Sequence, residues 1–140
     1  MRAELTRRGR GTIGVMLRGN GKTGLLRLRD HRTIETALPQ TPDAVRELDV
    51  SILHALVFDT IFGIKPEAIK AGGNLEYTID AAGALEAVSN GNADGAFLMN
   101  PPSIEDVQHV SGSGATMPEK STYFYPKLIT GLFMNLLDVD

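Results

Sequence analysis

The chain has 140 residues, 42% of them hydrophobic and 22% charged, a balance typical of a globular domain and not of a disordered or fibrous chain. It contains no cysteine, which excludes disulfides, thiolate nucleophiles and cysteine-ligated metal centres. The three histidines, at positions 31, 54 and 109, are too far apart in the sequence for a local metal motif. We therefore expect one globular domain, residues 12–140, without a bound metal or cofactor.

Basic and acidic residues are unevenly distributed along the chain. Residues 1–32 carry a net charge of +7 and the remaining residues carry −10, for an overall charge of −3. A basic amino-terminal segment can bind nucleic acid, but no Phe, Tyr or Trp lies among these arginines to stack on bases. We therefore expect a basic arm, residues 1–11, that pairs with acidic side chains of this chain or of a neighbour, and no nucleic-acid partner.

Hydropathy gives no sign of a membrane segment. No apolar run approaches the roughly 20 residues that a membrane helix needs. The amino terminus also lacks the pattern of a signal peptide. The expected location is the cytoplasm, with no membrane partner.

The first elements in the chain are a β-hairpin and a connector. Thr12–Leu17 is apolar and partly β-branched, and Arg18–Lys22 supplies turn residues. Leu26–Arg29 then alternates between apolar and charged residues, as a second strand would. Residues 31–42 are polar and contain two prolines, so we expect a connector there.

A long helix is predicted next. An apolar stripe at helical spacing covers Val50–Phe62, Asp49 can cap its amino end, and Gly63 can end it. Phe58 and Phe62 widen the apolar surface beyond one stripe. We expect this helix to be covered on more than one side, or to leave an exposed apolar patch through which the chain forms a homo-oligomer.

The second half of the chain predicts a strand–helix–strand unit. Leu75–Ile79 is a short candidate strand, and Asp80 can cap a helix over Ala81–Ser89. Gly95–Met99 is apolar throughout, which is typical of a strand in the middle of a parallel or mixed sheet.

The last predicted elements are one helix and one strand. Ser103 and Asp106 form the pattern of a capping box, with Asp in place of the usual Glu, at the start of a helix over Ile104–Val110. Gly131–Leu137 is a nearly apolar final strand. Together the elements predict an α/β or α+β fold, in which a β-hairpin is followed by alternating helices and strands around one mixed sheet.

Asn100 is the first candidate ligand-binding residue. It lies just beyond the carboxyl end of the strand Gly95–Met99, the edge of an α/β sheet where ligands usually bind. Ser103 and the first amides of the following helix could form an anion site beside it. The alternative is that Asn100, with the two prolines after it, only ends the strand and sets the start of the helix.

A second candidate site is the segment Met117–Leu128, which combines two lysines, four hydroxyls and three aromatic rings between prolines. In an extended backbone, side chains on one side are roughly 6.6 Å apart, so a phosphate or carboxylate could contact two of them. The alternative is that the hydroxyls bond to backbone and the prolines fix a corner. The candidate ligand-binding residues of this segment are Lys120, Ser121, Thr122, Tyr123, Tyr125 and Lys127.

His54 is a possible auxiliary residue on the long helix. It lies away from the main apolar stripe, where a lone histidine is more often a satisfied or solvent-facing side chain than a catalyst. Neither His54 nor any other residue completes a set of nucleophile, base and orienting group. The sequence therefore leaves enzymatic activity open, and we expect the isolated chain to show no turnover.

Three stretches carry a resemblance to a known family: Leu48–His54, Asp94–Pro101 and Met117–Leu128. They resemble the carboxy-terminal part of a prokaryotic family known as domain of unknown function number ten-fifteen, and the resemblance covers about residues 12–138. Members of that family are longer, which implies that this chain is the carboxy-terminal portion of a larger protein and packs on an amino-terminal portion. The family's genes often neighbour those of serine biosynthesis, which would suit a phosphorylated or amino-acid ligand.

Two classes of function follow from these observations. The first is a domain that binds a small anionic metabolite, with a phosphate or carboxylate group, as part of a larger intracellular protein. The second is a non-catalytic structural or oligomerisation domain, in which the same polar residues make a wet, specific contact.

Overall fold

The sheet of this protein is built from a hairpin and one distant strand. A computed structural model describes residues 1–19 and 21–122. Strand β1, Thr12–Leu17, lies between β2, Thr23–Arg27, and β3, Gly95–Met99, and both pairings are antiparallel. The predicted hairpin is confirmed, and the sheet of the described residues is antiparallel where a mixed sheet was expected.

Helices cover both faces of this sheet and give an α+β fold. They are α1 (Arg2–Arg8), α2 (His31–Ala37), α3 (Asp43–Arg46), α4 (Asp49–Ile52), a π-helix (Leu53–Ile61), α5 (Pro66–Ala71), α6 (Ala81–Ser89) and α7 (Ile104–Gly112). None of these helices is long and apolar enough to cross a bilayer.

The two faces of the sheet bury different helices. On one face, Ile13 joins Leu53 and Phe58 of the π-helix in the core. On the other face, Met16 of β1 packs with Val88 of α6. This division follows from the strand geometry, because successive side chains of β1 point to opposite faces.

The residues expected to form a basic arm fold against the sheet. Leu5 of α1 is buried, and a Cβ added to Gly14 would lie 3.1 Å from the Leu5 Cδ1 atom, so the missing side chain at position 14 allows α1 to approach β1 closely. Arg10 then pairs with acidic residues, with 2.8 Å from Nη1 to Oδ1 of Asp106 and 3.4 Å from Nη2 to Oε2 of Glu47. The arginine thus has acidic partners in its own chain.

The expected connector over residues 31–42 is wrong for its first half. Helix α2 begins there, and the carboxylate of Asp30 caps it by accepting from the backbone N–H of Arg32 at 3.0 Å. Only Ile34 of this helix is buried. A single apolar anchor leaves no periodic pattern in the sequence, which explains why the polar composition indicated a loop.

The predicted strand–helix–strand unit is also wrong. Leu75–Ile79 does not form a strand, and Leu75 packs beside the π-helix core instead. The helix that follows is confirmed with its cap, because Oδ1 of Asp80 accepts from the N–H groups of Ala82 and Gly83 at 3.0 Å each. Among the described residues β3 is an edge strand and not a central one, and the predicted strand Gly131–Leu137 lies outside the described residues.

The predicted long helix is present but changes type along its length. It starts as α4 and continues from Leu53 as a π-helix, with Phe62 N–H donating to the carbonyl of Val57, five residues back, at 3.0 Å. Gly63 adopts a φ of +68° just after its end, as expected for a stop residue. Asp49 is not the expected side-chain cap, since it accepts from the Gly11 N–H at 2.8 Å.

Candidate functional site

His54 is the only predicted site residue on the π-helix, and its imidazole meets a tyrosine. Its Nε2 lies 3.4 Å from the hydroxyl oxygen of Tyr77, and its ring packs 5.3 Å from that of Phe58. Burial lowers the pKa of His54 below its usual value of 6.5, so the imidazole is neutral at pH 7. A neutral imidazole offers one donor and one acceptor. Turns of π-helix are rare and occur frequently at functional sites.

Tyr77 connects His54 to the segment that contains Lys120. Burial, together with the negative charge of nearby Glu119, raises the pKa of the Tyr77 hydroxyl above its usual value. Lys120 follows Glu119, and its Nζ lies 3.9 Å from Oε1 of that residue. We refer to His54, Tyr77, Glu119 and Lys120 as the His54–Lys120 site.

Lys120 has an unusual backbone conformation. Its φ is +61°, and no other non-glycine residue of the described chain has a positive φ. It occupies the third position of a turn that the Ser121 N–H closes on the Pro118 carbonyl at 3.2 Å, and the Ser121 hydroxyl donates to the same carbonyl at 2.6 Å. A left-handed conformation costs a non-glycine residue about 1–2 kcal/mol. The turn therefore holds the lysine at the expense of local strain.

Asn100 has a structural role that the sequence did not indicate. Its Nδ2 donates to the carbonyl of Leu5 at 3.0 Å and to that of Gly9 at 2.9 Å, at the carboxyl end of α1. Both amide hydrogens are thus used within the chain, and only the side-chain carbonyl is left for a ligand. These bonds give Asn100 a structural role. That role differs from the alternative considered from the sequence, in which Asn100 and the two prolines only end the strand and set the start of the helix.

Ser103 forms the predicted capping box at the start of α7. Its hydroxyl accepts from the Asp106 N–H at 3.1 Å, and its own N–H donates to Oδ2 of Asp106 at 2.9 Å. The carboxylate of Asp106 therefore occupies the amino end of α7, where the expected anion would have to bind. A second negative charge at this place would be repelled.

Of the remaining predicted site residues, one lies within the described part of the chain and three lie outside it. Thr122 is half-buried at the end of the described chain. Tyr123, Tyr125 and Lys127 lie outside the described residues. Within residues 1–19 and 21–122, no group of three His, Asp or Glu side chains is arranged to hold a metal ion.

Sequence reasoning missed Tyr77 and Glu119 as members of the site. The sequence pattern places Tyr77 in a predicted strand, and Glu119 is absent from the predicted ligand-binding residues. Neither residue has a local pattern that points to His54, which precedes them by 23 and 65 positions. The one signal in the sequence is that Tyr77 follows the two glycines at positions 72 and 73, in a segment without a helical pattern.

A cavity lies elsewhere in the described part of the chain. It has a volume of about 360 Å³ and opens between the hairpin turn, at Arg18 and Gly21, and the carboxyl end of α6, at Ser89 and Gly91. Its wall includes Met16, on the sheet face opposite the π-helix. The His54–Lys120 site shares no residue with this cavity.

No protein-family model matches the chain, and no curated protein or solved structure is significantly similar to it. The resemblance to the ten-fifteen family therefore stays a prediction.

The lowered pKa of His54 predicts a loss of stability on acidification. Above pH 6.5 the residue is neutral in both the native and the unfolded chain. As the pH falls below 6.5 the unfolded chain takes up the proton first, so the free energy of unfolding decreases until the native pKa is passed. We expect His54→Gln to flatten this dependence below about pH 6.5, the usual pKa of histidine, measured by urea unfolding at stepped pH. The control is His109→Gln, at an exposed position, which should keep the pH dependence of the wild type. If the unfolding free energy of His54→Gln depends on pH as that of the wild type does, His54 is not the titrating group.

Proposed function

We propose that this domain binds a small anionic metabolite, bearing a phosphate or carboxylate group, at the His54–Lys120 site. The observation that carries the proposal is the left-handed backbone of Lys120, at φ +61°. Lys120 directly follows Glu119, whose negative charge acts on the Tyr77 hydroxyl of the His54–Tyr77 pair. Glycine would occupy that turn position without strain. A lysine there is best explained by its side chain, because strained residues concentrate where the chemistry of the side chain is needed.

The groups at the site suit a ligand that carries both charges. The exposed ammonium of Lys120 offers three donors to a phosphate or carboxylate, and the carboxylate of Glu119 can accept from an amino group. The Tyr77 hydroxyl and the neutral His54 imidazole add one hydrogen bond each. An amino acid or its phosphate ester matches this set better than inorganic phosphate does. The association of the resembled family with serine metabolism supports the same ligand class.

The proposal predicts saturable binding that depends on Lys120. Isothermal titration calorimetry with serine, phosphoserine and inorganic phosphate should show heat for at least one of them. Lys120→Ala should weaken that binding by about 1.5–3 kcal/mol, because one charge-assisted hydrogen bond is lost. Lys70→Ala, which removes an exposed lysine on α5, is the control and should bind as the wild type does.

A second substitution at the same position separates strain from charge. Lys120→Gly removes the ammonium group, so we expect it to bind the ligand as weakly as Lys120→Ala does. It also relieves the left-handed strain, so we expect it to unfold at a higher denaturant concentration than Lys120→Ala. Two results would contradict the proposal: no saturable heat from the wild type with any of the three compounds, or equal affinities of the wild type and Lys120→Ala.

A non-catalytic structural domain is the second candidate function. It is favoured by the hydrogen bonds that the side chains of Asn100 and Ser103 form with backbone groups of their own chain. If the titrations give no heat while the fold is intact, this function becomes the better account of the molecule.

A further inference from the structure

An apolar strip lies on the sheet face that carries the π-helix, beyond the end of that helix. The Leu17 side chain lies over Gly95, because a Cβ added to Gly95 would come within 2.9 Å of Leu17 Cδ2 and 3.7 Å of Phe97 Cε2. The Phe97 ring in turn packs edge-on against Phe62, with 6.1 Å between the ring centroids. Leu17 is 40% exposed, Phe62 46% and the adjacent Ile61 69%. We call these residues the Leu17–Phe62 strip.

Each end of the strip carries a surface ion pair. Next to Leu17, Nη2 of Arg18 lies 2.5 Å from Oδ1 of Asp94. Next to Phe62, Nζ of Lys65 lies 2.5 Å from Oδ1 of Asp59. The apolar surface is therefore bounded by one positive and one negative side chain at both ends.

The strip also adjoins an open edge of the sheet. In the described part of the chain, β3 is hydrogen-bonded to β1 and has no strand on its other side. Gly95 and Phe97 belong both to β3 and to the strip. An edge strand with apolar side chains is a template for pairing with another strand.

We propose that the Leu17–Phe62 strip binds a second copy of this chain about a two-fold axis. Such an axis places the same patch on both subunits and exchanges its ends. The Arg18–Asp94 pair then meets Asp59 and Lys65 of the partner subunit, and each positive group can face a negative one. No residue of the His54–Lys120 site takes part, so this inference goes beyond the proposed function.

The side chains of the Leu17–Phe62 strip differ from those expected from the sequence to mediate self-association. Phe58 was expected to contribute to the exposed patch, but it is only 4% exposed and belongs to the core. Phe62 has the expected exposure. The β-strand residues Leu17 and Phe97 supply the remaining surface.

Sedimentation equilibrium of the full chain over a concentration series tests the interface. We expect a monomer–dimer equilibrium in the wild type, weakened at least about tenfold by Phe62→Glu, since an aromatic anchor at the centre of an interface typically contributes that much. Ile104→Glu changes an equally apolar exposed residue on α7, outside the strip, and should leave the equilibrium unchanged. Added salt should weaken the dimer by screening the ion pairs.

A second variant and a labelling measurement complete the test. If Phe62→Glu fails to fold by circular dichroism, Ile61→Glu takes its place, because its side chain is more exposed. A wild type that stays monomeric at every concentration would overturn the proposal. So would protection of Phe62 from hydroxyl-radical labelling in a monomer, since the strip would then be covered by the chain itself.

Discussion

Ile34→Ala is expected to lower the free energy of unfolding by about 2–5 kcal/mol, a range typical of a fully buried isoleucine cut to alanine. Ile34 is 1% exposed and is the only buried residue of α2. Its loss leaves a cavity where α2 packs on the π-helix. The change is measured by urea unfolding. The midpoint should fall, while the slope of the unfolding free energy against urea concentration (the m-value) stays the same.

Glu35→Ala is the matched control for this prediction. Glu35 is the exposed neighbour of Ile34 on the same helix, so its truncation should change stability by no more than about 0.5 kcal/mol. Equal costs for the two variants would mean that residues 31–37 act as a surface connector and not as part of the core.

Asn100→Leu is expected to cost about 1–3 kcal/mol, because the carbonyls of Leu5 and Gly9 lose their side-chain donor in a half-buried place. The effect should be local as well as global. Amide hydrogen exchange in α1 should accelerate more than exchange in β1, since Asn100 ties the carboxyl end of α1 to the sheet.

Asn92→Leu, at an exposed position before β3, provides the control and should be close to neutral. The same variants separate the two roles considered for Asn100. A structural residue changes stability and leaves ligand affinity at the His54–Lys120 site unaltered. Reduced affinity with unchanged stability would instead make Asn100 a ligand-binding residue.

The features that the sequence predicted well depend on neighbours a few positions apart. The hairpin of β1 and β2, the Asp80 cap and the Ser103–Asp106 capping box each involve residues within one turn or one tight loop. Their chemistry is complete within a short window of sequence. Such signals need no knowledge of the rest of the fold.

The features that it missed depend on distant partners. Asp49 looked like a cap because nothing local shows that Gly11 donates to it, and Asn100 looked like a ligand residue because its partners in α1 are more than 90 positions away. The strand assigned to Leu75–Ile79 failed for a related reason: an apolar alternation cannot specify whether a partner strand is available.

The candidate site was predictable only in part. His54 and Lys120 were identified from their chemistry, but their neighbourhood depends on Tyr77 and Glu119, which approach through tertiary structure. The positive φ of Lys120 had no sequence signal, because the turn Pro118–Ser121 lacks the glycine that usually marks this conformation.

The pairing of β1 has a consequence for how this chain folds during its synthesis. Ile13 of β1 is paired with Leu26 of β2, which follows it closely in the sequence, and on its other side with Met99 of β3, which lies far along the chain. Most of the chain must therefore be synthesised before β3 can pair with β1. Until then, the edge of β1 that binds β3 has no partner strand. Late closure of a long loop slows folding, and an open apolar edge is prone to aggregation. We expect recovery of soluble protein to depend on translation speed and on chaperones that bind nascent strands.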